Sequence, residues 1–380
     1  MRANIATIGL AVALSAAAGL AAQGTESGAF VVRLGRDTLA VEQFTRSATA
    51  IDGQQVVRVG QTVHRVYHAD LAPDGSLRRF EVAIHRVTQP GAKELRASIE
   101  VSGDSATVRA PRQDSMVVTR LAVAHHAVPW LSHSYALVEH VGRLARAAGG
   151  ERFTSQAIRM GDDPLPVTIT RGAADTLVIL IDDIGPLRVR LDRAGRLLGG
   201  TGLGSTAQVD VERVAPLDMN ALGKSFAARP LGTLSPPDSV RVTIAGATLG
   251  VKYGRPAMRG RVIFGVVVPW GKVWRTGANE ATVLTTSAGL DALGTTIPAG
   301  AYSLWTVPTP GGWTLIINRN TGQWGTDYDS AHDFARLPMR VEQLAQPVER
   351  FTIAIEPKDA GAVLKLEWET TRAWIPFTPK

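Results

Sequence analysis

The stretch VWRTGANEATVLTT, Val273 to Thr286, gathers an indole, a guanidinium, an amide and a carboxylate: Trp274, Arg275, Asn279 and Glu280. Gly277-Ala278 between them reads as a hinge. A second guanidinium, Arg255, stands at a strand end before Pro256. Guanidinium forks match carboxylate or phosphate oxygens, and indole faces take a sugar ring. The set therefore suits an anionic or carbohydrate-like ligand, with Trp270, Trp274 and Trp305 as the stacking rings. Two other uses compete for the same residues. A tight turn that joins Arg275 to Glu280 makes a buried ion pair that pins the loop to its fold. Glu280 acting as general base, with Arg255 and Arg275 beside it, makes a hydrolase, although only one carboxylate is in view.

Other chemistry-bearing groups are less complete. GTDYDSAHD places Asp327, Asp329, His332 and Asp333 close together, and oxygens at that density are what calcium takes. The glycine and final glutamate of a calcium loop are missing, so these acids read as a solvated loop and no metal is expected. His125, His126, His133 and His140 cluster in sequence, but no H-E-x-x-H pattern completes them. His64 and His68 share one face of a strand, too far apart to act together. Gly223-Lys224-Ser225 lacks the upstream glycine of a phosphate loop, and Pro230 follows closely. Gly200-Thr-Gly202-Leu-Gly204 precedes a strand rather than a helix. There is no G-x-S-x-G and no S-x-x-K. No cofactor is expected.

These residues sit on a chain that is mainly β. Between 29 and 110, FVVRLG, TLAVEQFTR, QQVVRVG, VHRVYHADL, RRFEVAIHRV, ELRASIEVS and SATVRAP alternate apolar and polar residues. Asp52-Gly53, Pro73-Asp74-Gly75, Pro90-Gly91 and Gly103-Asp104 punctuate them, which predicts an antiparallel meander. Leu137, Val141, Leu144 and Ala148 recur at helical spacing and Gly149-Gly150 stops them, predicting one helix over about 131–148. Strands resume at 165–170, 176–181, 186–191 and 207–214. Residues 24–215 thus read as a curved antiparallel sheet with one helix, a half-barrel or lipocalin-like cup with the general plan of the lipoprotein-carrier fold. Pro216, Pro230, Pro236 and Pro237, with Gly223 and Gly232, mark 216–234 as a linker. Residues 235–380 predict nine short strands, a β-sandwich or jelly roll. Pro310-Gly311-Gly312 is its clearest hairpin, and Trp305, Trp313, Trp324, Trp368 and Trp374 are expected in its core.

Bulk properties bound the possibilities. The chain has 380 residues, 45% of them apolar and 20% charged, enough for two sizeable cores. The net charge is +7, but acids are interspersed with the bases and no basic run appears, so no nucleic-acid partner is expected. MRANIATIGLAVALSAAAGLAAQG has a positive n-region, an apolar stretch and small residues at its end. Residues 1–23 therefore read as a cleavable signal peptide, leaving no transmembrane segment and predicting a periplasmic or extracellular location. Cysteine is absent, which removes disulfides, zinc-thiolate sites, thiol nucleophiles and lipid attachment at an N-terminal Cys.

VKYGRPAMRGRVIFG, VVPWGKVWRTGANEATVLTT, IPAGAYSLWTVPTPGGWTLIINRNTGQWGTDYD and LEWETTRAWIPF occur in that order. This C-terminal series, from about Ser235 onward, resembles a family of secreted bacterial domains known as domain of unknown function 2911. The resemblance implies membership but no activity. Its distinctive polar positions fall on Tyr253, Arg255, Arg275, Asn279, Glu280, Tyr302, Asn318 and Trp324. Trp270 stands where the family usually has Tyr, which keeps a ring and a donor. The sequence thus leads to an exported cell-envelope protein that binds a small polar or glycan ligand without catalysis. The ligand candidates are those eight residues with Trp274 and Trp305. The alternatives are the Glu280 hydrolase and a carrier of lipid or another apolar ligand in the N-terminal cup.

Overall fold

The computed structural model describes residues 24–89, 91–112, 115–160, 162–173, 175–181, 185–203 and 208–380. The expected signal peptide, Pro90 and Gly204 lie outside the described residues. Among the described residues, fifteen strands form a first sheet and nine a second, and no helix is long and apolar enough to cross a membrane.

In the first sheet the strands from Glu26–Leu34 to Ser115–Ala122 form one meander. Those from Arg152–Ile158 to Asp210–Val214 form another, and Val128–Pro129 pairs parallel with Arg152–Ile158 at its edge. Glu26–Leu34 pairs antiparallel with Asp210–Val214 and joins the two. Ser115–Ala122, Val128–Pro129, Arg152–Ile158 and Leu197–Gly202 are strands beyond those expected. The helix α1, Tyr135–Ala148, starts later than its periodicity suggested, because His133 is left-handed at φ 64°. It lies against the concave face, its Leu137, Val141 and Leu144 in one core with Phe30, Phe44, Phe80 and Ile99. Gly149, at φ 73°, ends it, as a residue without Cβ can.

The strand Asp37–Arg46 shows how both faces of the sheet are covered. Ala40, Phe44 and the polar Glu42 and Arg46 alternate on its inner face, all buried. Val41 points the other way, onto the helix α2, Met219–Ala228. This helix occupies the expected linker. Asp218 caps it by accepting from Ala221 N at 2.9 Å, and Met219 and Phe226 pack on Val41 and Val56. Gly223-Lys224-Ser225 is therefore helical, so it forms no phosphate-binding loop.

Glu42 holds α1 in place. Its carboxylate accepts from Tyr135 N at 2.6 Å and Ala136 N at 2.9 Å, amides of the first helical turn that have no partner within the helix. Tyr67 Oη at 2.7 Å and Ser134 Oγ at 2.6 Å donate to the other oxygen. Burial pushes this carboxyl above its ordinary pKa, against the pull of those donors. One turn along, buried Glu139 accepts from Leu197 N at 2.7 Å and pairs with Arg213 at 2.6 Å, Arg143 at 3.1 Å and Arg46 at 3.6 Å. The concave face is thus apolar packing threaded by ion pairs.

The second sheet delivers the expected sandwich-like packing from one hydrogen-bonded sheet. MRVEQL and RFTIAIE are parts of a single strand, Asp333–Lys358. AVLKLEW and AWIPF are parts of its partner, Gly361–Pro379. The register shifts twice between Gln343 and Thr352, opposite left-handed Glu369 at φ 55°. Bulges of this kind bend a strand pair and let one sheet fold over its own core. The small hairpin Leu290–Ala292 and Thr295–Ile297 extends the far edge. Trp313 and Trp368 enter the core with Trp274, Phe264 and Phe351. Trp305 lies in a separate cluster with Ala281 and Ile316, Trp324 is exposed, and Trp374 lies under the cations of Arg340 and Lys358. The expected five-tryptophan core is therefore divided, because alternate residues of a strand face opposite sides. The two sheets meet where Arg259 pairs with Asp37 and its carbonyl accepts from Arg36 N at 2.9 Å.

Candidate ligand-binding site

The WRTGANE segment runs beside the strand Gly300–Thr309. Trp274 and Thr306 exchange backbone hydrogen bonds at 2.8 and 2.9 Å, which fixes the entry to the loop. The left-handed residues are Thr276, at φ 54°, and Asn279, at φ 66°, not Gly277. Gly277 is required for space: a Cβ there would lie 2.9 Å from Thr282 Oγ1 and 3.1 Å from the Gly254 carbonyl. The loop leaves by pairing with residues 323–325, through Ala281 N to Gln323 O at 3.2 Å and Gly325 N to Asn279 O at 2.9 Å.

This route separates Arg275 from Glu280. Arg275 is buried, its side chain crossing over Gly325, and burial lowers its pKa from the ordinary arginine value. Glu280 is exposed and bridges Trp324 through the backbone. Arg255 is also elsewhere, bonding Asp238 at 3.1 Å, Thr352 Oγ1 at 2.9 Å and the Phe351 carbonyl at 3.1 Å.

Next to Arg275 opens a cleft of about 210 Å³. Val267, Val268 and Pro269 form one wall. Lys272, Val273, Trp274 and Arg275 form the second, and Trp305, Gly325, Thr326 and Tyr328 the third. Its charged lining residues are Lys272 and Arg275, both cationic. The Trp305 and Tyr328 rings lie 5.0 Å apart at 56°. Tyr328 Oη donates to Asp333 at 2.7 Å and accepts from Arg336 at 2.7 Å, and burial first, then Asp333, pushes its pKa up to about 12. The phenol stays protonated and is held in place by two partners.

Of the residues singled out from sequence, Trp274, Arg275 and Trp305 come together at this cleft. The others have structural partners or lie apart. Tyr253 Oη accepts from Ile353 N at 3.0 Å and contacts Asp238 at 3.3 Å. Asn279 donates to the Ser235 carbonyl at 3.2 Å, and Tyr302 to the Pro298 carbonyl at 3.0 Å. Asn318 ties down the acidic loop by donating to Asp329 O at 2.8 Å and Asp333 Oδ1 at 2.9 Å. Within that loop Asp329 accepts from Ala331 N and His332, and Asp333 from Arg336. Asp327 is exposed, and the three acids do not converge on one point for a cation among the described residues. Lys272, Gly325, Thr326 and Tyr328 were missed from sequence. Their signal was present in PWGKVW and QWGTDY, but only the pairing of 279–281 with 323–325 brings these segments to one cleft.

The fold and cleft define a two-sheet β protein whose second sheet carries a small cationic, ring-lined recess. Residues 235–377 match the family described as "Protein of unknown function (DUF2911)", and the N-terminal region has no family match. No curated protein matches the chain. Among solved structures it is similar to a DUF1089 family protein from Pseudomonas aeruginosa, at 14% identity and TM-score 0.34, covering 43% of this chain and 90% of that one. It is also similar to a beta-barrel-like protein of domain of unknown function DUF1849 from Brucella abortus, at 13% identity and TM-score 0.35, covering 50% of this chain and 96% of that one.

Proposed function

We propose that this protein is an exported, non-catalytic envelope protein that binds a small anionic ligand, an inorganic oxyanion or a single acidic sugar unit, in the cleft beside Arg275. The observation that supports it is the lining: Lys272 and Arg275 face the same space as Trp305 and Tyr328. Cations there favour negative charge, and the rings accept a sugar face. The size argues for a small ligand, since about 210 Å³ corresponds to roughly seven waters at their liquid volume. Drug-sized ligands take about 300–1,000 Å³. Glu280 lies outside this lining, so binding fits the cleft better than hydrolysis.

The test is calorimetric titration of the chain with phosphate, sulfate and glucuronate, alongside Lys272→Ala. Saturable binding of at least one anion, weakened about tenfold or more by the substitution, is expected from loss of one charge-assisted contact. Absence of saturable binding, or equal affinity in the variant, overturns the reading. Sequencing the N-terminus of the protein recovered from a periplasmic extract checks export, with a new start near Gly24 expected.

A further inference from the structure

A second group of side chains converges far from the cleft, at the rim of the first sheet. Asp74 sits on the turn between the strands Val63–Leu71 and Leu77–Arg86. His125 and His126 sit on the loop between Ser115–Ala122 and Val128–Pro129. One carboxylate oxygen and one ring nitrogen from each histidine all lie within 4.8 Å of one another. Within the group, His125 Nε2 is 2.9 Å from Asp74 Oδ2, and the two imidazoles lie 4.5 Å apart at 56°.

We propose that Asp74, His125 and His126 form a binding site for a divalent transition metal ion of the zinc type. Two imidazole nitrogens and one carboxylate oxygen are a donor set for zinc, whereas calcium takes six to eight oxygens. Ligand atoms about 2.0–2.1 Å from a tetrahedral ion are roughly 3.3 Å from each other. The 2.9 Å separation of His125 Nε2 from Asp74 Oδ2 and the 4.8 Å limit on the others admit that value, and exposed His125 can rotate to meet it. Three protein ligands leave a fourth position for water, the open arrangement of an exchangeable site.

The groups behind the ligands are already arranged for this. Ser76 N and Ser76 Oγ donate to Asp74 Oδ1 at 2.9 and 2.7 Å, which orients the carboxylate and leaves Oδ2 toward the histidines. Ser155 Oγ donates to the His126 carbonyl at 2.6 Å, and the Phe153 ring packs 6.1 Å from the His126 ring. His126 Nδ1 is shielded from solvent without a hydrogen-bond partner, a state that asks for an explanation in a folded protein. The four-histidine cluster in the sequence is divided by the fold. His140 turns to the Gly75 carbonyl at 2.9 Å and to Arg46 at 3.1 Å, and Asp74, 51 residues before His125, takes its place. The ion would clip the Asp74 turn to the His125 loop above α1.

The test uses the full chain without an affinity tag, freed of metal with a chelator. Zinc titrated by calorimetry is expected to bind at one ion per chain and to raise the melting temperature. His125→Ala, an exposed change that leaves the core intact, is expected to weaken binding at least about tenfold and to reduce the thermal shift. Asp74→Ala is expected to do the same. If a variant melts below wild type without metal, its zinc affinity in the native range still decides. Absence of stoichiometric zinc binding, or unchanged affinity in both variants, overturns the proposal.

Discussion

Gly325→Ala tests how the cleft is built. A Cβ at this position would stand 2.2 Å from Arg275 Cδ and 2.5 Å from the Asn279 carbonyl oxygen. Carbon atoms in good contact are about 3.5–4.0 Å apart, so the overlap exceeds 1 Å on the arginine side alone. Arg275 has a flexible side chain and can move, but the Asn279 carbonyl belongs to a backbone held by the Gly325 N bond at 2.9 Å. Overpacking costs about 1–3 kcal/mol and the loosened hydrogen bond about 1 more, so the expected loss is about 2–4 kcal/mol. Urea unfolding followed by tryptophan emission measures it. Of the eight tryptophans, all but Trp130 lie at or beyond Trp270, so the signal reports on the second sheet. Gly311→Ala is the control, since its Cβ meets nothing within 4 Å, and it is expected to stay within about 0.5 kcal/mol. A Gly325→Ala effect no larger than that control would refute the close packing of Arg275 over Gly325. Displacing Arg275 is also expected to weaken anion binding in the native protein.

Two further outcomes follow from the first sheet. Glu139→Ala removes the buried carboxylate that Arg46 and Arg213 share, and is expected to cost about 3–5 kcal/mol in urea unfolding followed by far-ultraviolet circular dichroism. A loss below about 1 kcal/mol would mean that water reaches this network. Burial first, then the Arg65 charge, lowers the His133 pKa from 6.5 to about 4. The unfolded chain therefore binds the extra proton between those values, so stability is full above pH 6.5 and falls as pH drops toward 4, by at most about 3 kcal/mol. His133→Asn is expected to flatten that part of the stability–pH curve, and an unchanged slope would show that His133 is protonated in the folded state.

Much of the architecture was legible because period and punctuation are local properties. The alternation in TLAVEQFTR and VHRVYHADL placed strands that the structure contains. Pro310-Gly311-Gly312 marked the hairpin between Gly300–Thr309 and Gly312–Asn318. Gly149 marked the end of α1. The second helix was hidden because four prolines and two glycines around it read as a linker, while its apolar face is short.

The sequence by itself determined a mainly β chain, its strand periods, one helix and the family resemblance of its C-terminal part, since each depends on neighbours along the chain. Only the tertiary structure decided what the polar residues do. In Asp37–Arg46 the same alternation buries Glu42 and Arg46 on the helix-covered face, and no local pattern says that both faces of a strand will be covered. In WRTGANE the left-handed turns at Thr276 and Asn279 send Arg275 inward and Glu280 out to solvent. Lys272, Arg275, Trp305 and Tyr328 share a cleft because strand pairing closes long loops, and pairing is a property of surfaces far apart in sequence.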